Sequence, residues 1–325
     1  MAGVVSAVLE LASRAWGAGW ELRRRAYAAG LRRGQRVAAR VVSVGNLTLG
    51  GTGKTTLVLH LARRARERNL DPAVVCRRYR PGPGGEGDEE RMFRDALGAA
   101  SVYAGESKRE LAGRAASDGR RLLIVDDGFS HWGLERDLDV VLLDAGDPWG
   151  GRRLVPAGRL REPLRALQRA GVVVITRVAA GADPARTMEE VAGFAPAARI
   201  GLARHRVVGV RALAGSTPPQ RRVRVVTATG NPPAVEASAR EAGLEVAGLS
   251  AYRDHHWFTA AEAQAESERA RAEEAAILLT AKDAVRWPEG ASREGVGVLE
   301  VEWEWRGDSA GLDDLILGPS TRSHA

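Results

Sequence analysis

Short apolar runs alternate with stretches of helical periodicity along most of this chain. Residues 41–44 (VVSV), 72–76 (PAVVC), 121–126 (RLLIVD), 139–144 (DVVLLD) and 171–176 (GVVVIT) are apolar at successive positions rather than at every second one. Strands of that kind are buried on both faces, as in parallel sheets held between helix layers. The pattern predicts a doubly wound α/β fold. A polar region with Pro and Gly over about 179–220, containing the extended stretch RHRVVGVRAL, interrupts it. The alternation then restarts with VRVVTATG, a helix through PPAVEASAREAG, LEVAGLSAY, a helix from about 259 to 275, and AILLTAKD. Two domains are expected, 1–204 and 205–325, the second smaller and including an extended connector, and a length of 325 residues suits two. The segment after Trp305 shows little pattern and is expected to be partly ordered at most.

Ahead of the first strand, Val4, Val8, Ala12, Trp16 and Trp20 recur every four residues, with Leu9, Leu11, Leu22, Tyr27 and Leu31 adding apolar surface. Residues 1–40 hold eight arginines against two glutamates, which accounts for nearly all of the net charge of +7. A helix with Trp on one side and Arg on the other suits an anionic membrane surface. It equally suits a helix packed on its own domain with a solvated basic face. Gly17 and Gly19 each cost a helix interior about 1 kcal/mol, so one long helix and two shorter ones are both open. Nucleic-acid binding would also use positive charge, but here the charge is confined to one terminal segment bearing two tryptophans. Cys76 is the single cysteine, which excludes a disulfide framework and a cysteine-based metal site and points to a reducing compartment. No run of 18 apolar residues could span a bilayer, so a soluble or peripheral protein is expected.

Candidate chemistry concentrates in VVSVGNLTLGGTGKT at 41–55. A buried strand stops at a glycine-rich turn ending in Lys54 and Thr55, and a helix follows. In that layout backbone N–H groups and the positive helix end point at a polyphosphate, the lysine reaches the β- and γ-phosphates, and the hydroxyl ligates Mg²⁺. The strict phosphate-loop pattern wants glycine where this chain has Thr48. A second buried strand ends in Asp126 and Asp127, where a nucleotide-bound Mg²⁺ is commonly held, and adjacent carboxylates there call for a cation between them. His131 is uninformative alone. PGPGGEGDEER at 81–91 carries Asp88 and Glu89 and reads by composition as a solvated acidic loop. PAGRLREPL at 156–164 offers Arg159, Arg161 and Glu162 on a turn between prolines. YRDHHWFT at 252–259 sets Asp254 beside His255 and His256, with no third ligand spaced for zinc. On these residues alone, a nucleoside triphosphatase or a kinase of a soluble metabolite is as open as any other phosphate-loop enzyme.

Taken in order, GNLTLGGTGKT, CRRY, GDE, VDDGFSH, RDLDVVLLDA, LVPAGRLREPL, TGNP, DHHWFT and TAKDAV resemble the tetraacyldisaccharide 4'-kinase family from about residue 40 to 287. The resemblance implies two phosphate-loop, Rossmann-like α/β/α domains joined by a β connector. It implies ATP- and Mg²⁺-dependent transfer of a γ-phosphoryl group to the 4'-hydroxyl of a lipid-linked glucosamine disaccharide, at the cytoplasmic face of the bacterial inner membrane. A monomer with no nucleic-acid partner, docked on that anionic surface by its basic amphipathic N-terminal helix, is expected. Carried onto this chain, Thr48, Gly50, Gly51, Thr52, Gly53, Lys54, Thr55 and Thr56 would bind the nucleotide, with Thr55, Asp126 and Asp127 serving Mg²⁺. Lys54 and Asp127 would also take part in catalysis. Asp88 would be the general base, and His255 would lie across the cleft and orient it on closure. Arg161 and Glu162 would line the entrance, and Asp254 would contact substrate. Three positions depart from the family's pattern: Arg78 stands for a usual glycine, Ser130 for glutamine and Glu90 for proline.

Overall fold

The computed structural model describes residues 2–178, 183–215 and 220–318. In chain order the elements are α1 (Ala2–Ala28), β1 (Arg40–Asn46), α2 (Lys54–Glu67), β2 (Pro72–Arg77), α3 (Asp88–Leu97), β3 (Val102–Gly105), α4 (Lys108–Ser117), β4 (Leu122–Asp126), β5 (Leu138–Asp144), β6 (Val172–Thr176), α5 (Ala185–Phe194) and β7 (Arg199–Ala212). They continue with β8 (Arg222–Thr227), α6 (Pro232–Glu241), β9 (Glu245–Ala251), α7 (Ala260–Ala272), β10 (Ala276–Thr280), α8 (Ala281–Arg286), β11 (Val296–Arg306) and α9 (Leu312–Leu317). The chain divides into two compact units, residues 1–77, 100–204 and 303–325 in the first, and 78–99 and 205–302 in the second. A single cut after residue 204 therefore separates differently at two places. Residues 78–99 belong with the second unit because α3 packs on α8 there, and 303–325 belong with the first because α9 packs on α2.

In the first unit the strands run β3-β2-β4-β1-β5-β6 and on to the start of β7, each neighbouring pair parallel. Their residues are buried on both faces, as successive apolar positions require. Ala73, Val75, Leu123 and Val125 pack against Leu111, Ala112 and Ala115 of α4, while α2 covers β1, β2 and β4 with Leu57, Val58, Leu61, Ala62 and Ala65. β3, only four residues long, was too brief to stand out in the sequence. Part of the segment after Trp305 is tied to the first unit: the Asp313 carboxylate takes the Trp305 indole N–H and pairs with His60 Nε2 of α2, both at 3.0 Å. Residues 319–325 lie outside the described residues, as do 179–182 and 216–219 of the polar region.

α1 is one continuous helix. Gly17 is tolerated because a Cβ there would meet Leu154 Cδ1 at 3.0 Å, so the missing side chain lets the helix lie close on its neighbour. Ser13 Oγ donates to Leu154 O at 2.8 Å, and the Trp20 indole, buried, donates to Glu162 Oε2 at 2.8 Å. The other side of the helix is open, with Val8, Leu11 and Leu22 60–71% exposed, while Trp16 at the flank is half exposed and donates its indole N–H to Arg161 O at 2.8 Å. Among the described residues no helix is long and apolar enough to cross a membrane.

The second unit has parallel strands in the order β11-β10-β8-β9. Its core joins Val226, Ile277, Leu279 and Val296 to Phe258, Ala263 and Trp287 on one side, and Val223, Val225, Leu278 and Leu299 to Ala239 on the other. Side chains start its helices where the sequence changes period. Asn231 caps α6, Thr259 and Glu262 form a capping box on α7, and Thr280 Oγ1 accepts from the Asp283 N–H at the head of α8. β11, with its alternating EVEWEW, was not anticipated. Its outward glutamates pair with arginines of β7, Glu302 with Arg206 at 2.9 Å and Glu300 with Arg211 at 3.1 Å.

Candidate active site

The glycine-rich turn sits between β1 and α2 as the sequence predicts. Gly45 is obligatory, since a Cβ there would lie 2.4 Å from Phe129 Cβ. Gly50 and Gly53 take φ values of 111° and 90°, in the left-handed region that favours glycine, and Gly53 caps α2 with no side chain, which leaves the first N–H groups of that helix to a ligand. Thr48 is buried and its backbone is extended, bridging to Leu160, while Leu49 N–H donates to Arg159 O and Arg161 N–H to Leu47 O, both at 2.7 Å. This pairing with the PAGRLREPL segment explains why glycine is dispensable at position 48. Thr52 is buried with its hydroxyl unpartnered, and Lys54, Thr55 and Thr56 form the first turn of α2.

Lys54 Nζ donates to Asn46 Oδ1 at 3.0 Å and lies 3.7 Å from Asp127 Oδ1. Arg161 grips Asp127 with two hydrogen bonds, 2.9 Å to Oδ2 and 2.8 Å to Oδ1, and Lys108 Nζ donates to the Asp127 carbonyl at 2.7 Å. That last bond holds a residue whose φ is 49°. Burial alone would raise the Asp127 pKa, but the Lys54 and Arg161 cations outweigh it and hold the carboxyl far below the ordinary range. Asp127 thus has two protein cations beside it, Lys54 and Arg161. Asp126 ends β4 with its side chain buried. His131, nearby in sequence, is pushed down to about 4 by burial and by Lys108 and Arg136, so its imidazole is neutral near pH 7. Glu162 does not line an entrance: it is 3% exposed, and its carboxylate is taken by Trp20 and Arg169, which commits it to anchoring α1.

Asp88 and His255 both belong to the second unit. The loop at 81–87 is not a free acidic loop. Gly82 leaves room for the Trp257 indole, which a Cβ would strike at 2.6 Å, and that indole donates to Arg80 O at 3.0 Å. Asp88 opens α3 and is 2% exposed. His255 Nδ1 lies 2.9 Å from its Oδ2, so the expected meeting of the two is already made inside one unit rather than on closure of a cleft. Asp88 Oδ1 accepts the Glu89 N–H at 2.8 Å, and Arg286 NH1 stands 3.4 Å from Oδ2. Burial works to raise the Asp88 pKa, but the His255 hydrogen bond, Lys282 and Arg286 overcome it and set it at about 2. Asp254 Oδ1 is 3.9 Å from His255 Nε2. His256 plays a separate, structural part, pairing with Glu262 at 2.9 Å and stacking on Tyr252 to brace the start of α7.

The chain matches the family model described as LpxK, Tetraacyldisaccharide-1-P 4'-kinase, over residues 5–319. It belongs to that family. The tetraacyldisaccharide 4'-kinase of Syntrophobacter fumaroxidans is 38% identical over 330 residues, covering 94% of this chain and 86% of its own length. That of Geobacter metallireducens is 34% identical, covering 92% and 94%. Among solved structures, LpxK from Aquifex aeolicus in complex with ATP shares the fold at a TM-score of 0.71 with 22% identity, covering 96% of this chain and 98% of that one.

Two of the three positions that the resemblance marks as departures, Arg78 and Glu90, explain each other. Arg78 donates from Nε and NH2 to the two carboxylate oxygens of Glu90, both at 2.8 Å, and Glu90 also takes Arg94 NH2 at 3.0 Å and Gly87 N–H at 3.3 Å. A proline in place of Glu90 could do none of this, and a glycine in place of Arg78 would leave the carboxylate buried without its main partner. Nothing in the structure explains Ser130. Four further groups were missed as site components from sequence: Lys108, Arg78, Lys282 and Arg286. Lys282 and Arg286 stand within and beside TAKDAV, a motif read for family membership rather than chemistry.

Proposed function

We propose that this chain transfers the γ-phosphoryl group of ATP to the 4'-hydroxyl of a tetraacyl glucosamine disaccharide 1-phosphate, the precursor of lipid A. The observation that carries this reading is the family match over nearly the whole chain, joined to an intact Gly50–Thr55 cradle. The alternative, a phosphate-loop enzyme acting on a soluble metabolite, gives no use for an α1 that exposes Val8, Leu11, Trp16 and Leu22 among arginines.

In this reading the α2 N-terminus and the Gly50–Thr56 backbone take the phosphates and Lys54 reaches the β- and γ-oxygens. Mg²⁺ is commonly held by one or two carboxylates with hydroxyl, water and phosphate oxygens, and Thr55, Asp126 and Asp127 supply hard oxygen donors of that kind. The ion, when bound, would neutralise charge on the transferring group. Arg161 keeps Asp127 ionised and adds its own positive charge beside the cradle. Asp88, ionised through the working pH range, accepts the sugar hydroxyl proton while His255 fixes its orientation. A carboxylate of low basicity suffices because the transition state of phosphoryl transfer is loose and positioning dominates. The exposed side of α1 would rest on the anionic cytoplasmic leaflet, bringing a monomer to a lipid-borne acceptor.

The test is label transfer from γ-³²P-ATP to purified tetraacyldisaccharide 1-phosphate in mixed micelles. Transfer that Lys54→Ala abolishes supports the proposal. Transfer to soluble sugars but not to the lipid would overturn it.

A further inference from the structure

Lys282, the second residue of α8, lies against the Asp88–His255 pair within the second unit. Its ammonium is 3.0 Å from Glu89 Oε1, 3.4 Å from His255 Nε2 and 3.7 Å from Asp88 Oδ2. An ammonium carries three donors and no acceptor. His255 Nε2 can therefore meet it only through a bare lone pair, and the ring proton must then sit on Nδ1, 2.9 Å from Asp88 Oδ2. We propose that Lys282 is a positioning residue that selects the Nδ1–H tautomer of His255, so that the imidazole donates to Asp88 and Asp88 alone of the pair is left to accept a proton.

The surroundings leave the ring little choice. A proton on Nε2 would face the ammonium, and the carboxylate on that side, Asp254 Oδ1, is 3.9 Å away, beyond hydrogen-bonding range. Glu89 holds Lys282 in place, and the two acids together keep the lysine charged against the pull of burial. Arg286 supports Asp88 from the next turn of α8, and the Tyr79 ring packs edge-on against the imidazole at 5.2 Å.

The inference rests on the reading of Asp88 as the base. In that step the acceptor O–H bond breaks and its proton goes to Asp88. The acceptor oxygen bonds the γ-phosphorus, and the bond from phosphorus to the bridging oxygen breaks with its electron pair leaving on ADP. The Nδ1 proton of His255 stays where it is throughout, holding the carboxylate in line.

Long-range ¹H–¹⁵N correlation NMR of the full-length protein labelled at histidine distinguishes the two tautomers, with His255 assigned by its loss in His255→Gln. The wild type should show Nδ1–H. Lys282→Met should move His255 toward Nε2–H and lower kcat about 10- to 100-fold with KM for ATP unchanged. Lys282→Arg, which still donates, should keep Nδ1–H and recover most of the rate. Unchanged signals from the remaining histidines report an intact fold; if the methionine variant disturbs them, the wild-type tautomer and the arginine variant decide. An Nε2–H wild type, or an Nδ1–H ring that survives Lys282→Met, overturns the proposal. A tautomer that moves with kcat unchanged upholds the role of Lys282 and overturns the reading of Asp88 as base.

Discussion

Glu90→Gln tests how the loop bearing Asp88 is held without touching the reacting groups. Glu90 is the third residue of α3, two after Asp88, and its side chain is completely buried. It receives both Arg78 nitrogens at 2.8 Å, Arg94 at 3.0 Å and the Gly87 N–H at 3.3 Å. Together these hold its carboxyl below the ordinary range despite a burial that works the other way. Removing one partner of a fully buried ion pair costs about 3–5 kcal/mol. Arg78 and Arg94 are 39% and 32% exposed, however, and recover hydration when released, so about 2–3 kcal/mol is expected for Glu90→Gln. Arg78→Ala should cost less, about 1–2 kcal/mol, because Arg94 still neutralises the acid.

The double variant then decides whether the pair acts as a unit. If Arg78 works through Glu90, Arg78→Ala/Glu90→Gln should be little worse than Glu90→Gln alone, giving a coupling of about 1–2 kcal/mol. Native-state hydrogen exchange at the α3 amides Arg91–Gly98 reads the opening free energy of this segment directly. In a parallel transfer assay kcat should fall with α3 stability while the Kd for ATP stays constant. Additive effects within about 0.5 kcal/mol would refute the coupling, and with it the explanation of why these two departures coexist.

Three other outcomes follow from the geometry. Asp88→Asn should lower kcat by about 10²- to 10⁴-fold with ATP binding intact; a rate within a few-fold of wild type would show that another group takes the proton. The Asp88 carboxyl is depressed from 3.8 to about 2, so its stabilisation of about 2 kcal/mol is fully present above roughly pH 5 and is lost as the pH falls toward 2. Urea midpoints from pH 5 to pH 2 should therefore drop further for wild type than for Asp88→Asn, and parallel curves would contradict that assignment. Leu11→Glu/Leu22→Glu changes the exposed side of α1 and spares Ser13, Gly17 and Trp20, so binding to anionic vesicles should weaken with no change in thermal stability; undiminished vesicle binding would rule out this side of α1 as the membrane face.

What the sequence disclosed was what depends on local pattern. Val41 to Val44 and Leu122 to Val125 announce buried parallel strands because the runs are apolar almost throughout, and Gly50, Gly53 and Lys54 announce the cradle because its chemistry is compressed into one turn. The composition of 81–91 misled, since Asp88 and Glu89 look solvated until α8 brings Lys282 and Arg286 against them from almost 200 residues away. Glu162 misled for the same reason: its partner Trp20 lies 142 residues earlier. Tertiary charge pairing of that kind leaves no periodic trace. The N-terminal helix was legible in part, because a four-residue step drifts by about 40° around a helix of 3.6 residues per turn, and the row that passes through exposed Val8 ends at buried Trp20.

The two groups of candidate site side chains each find opposite charge within their own unit. Asp127 is kept ionised by Lys54 and Arg161 and positioned by Lys108, all in the first unit. Asp88 is kept ionised by His255, Lys282 and Arg286, all in the second. Each carboxylate thus has cations of its own unit beside it, Lys54 and Arg161 for Asp127 and Lys282 and Arg286 for Asp88. Filling the cradle with a polyphosphate brings negative charge to Lys54 and Arg161 and competes with Asp127 for them. On the proposed reading of Asp88 as base, its ionisation rests on neighbours of its own unit, which suits an enzyme whose chemistry depends on where the acceptor hydroxyl is held rather than on how strongly its proton is pulled.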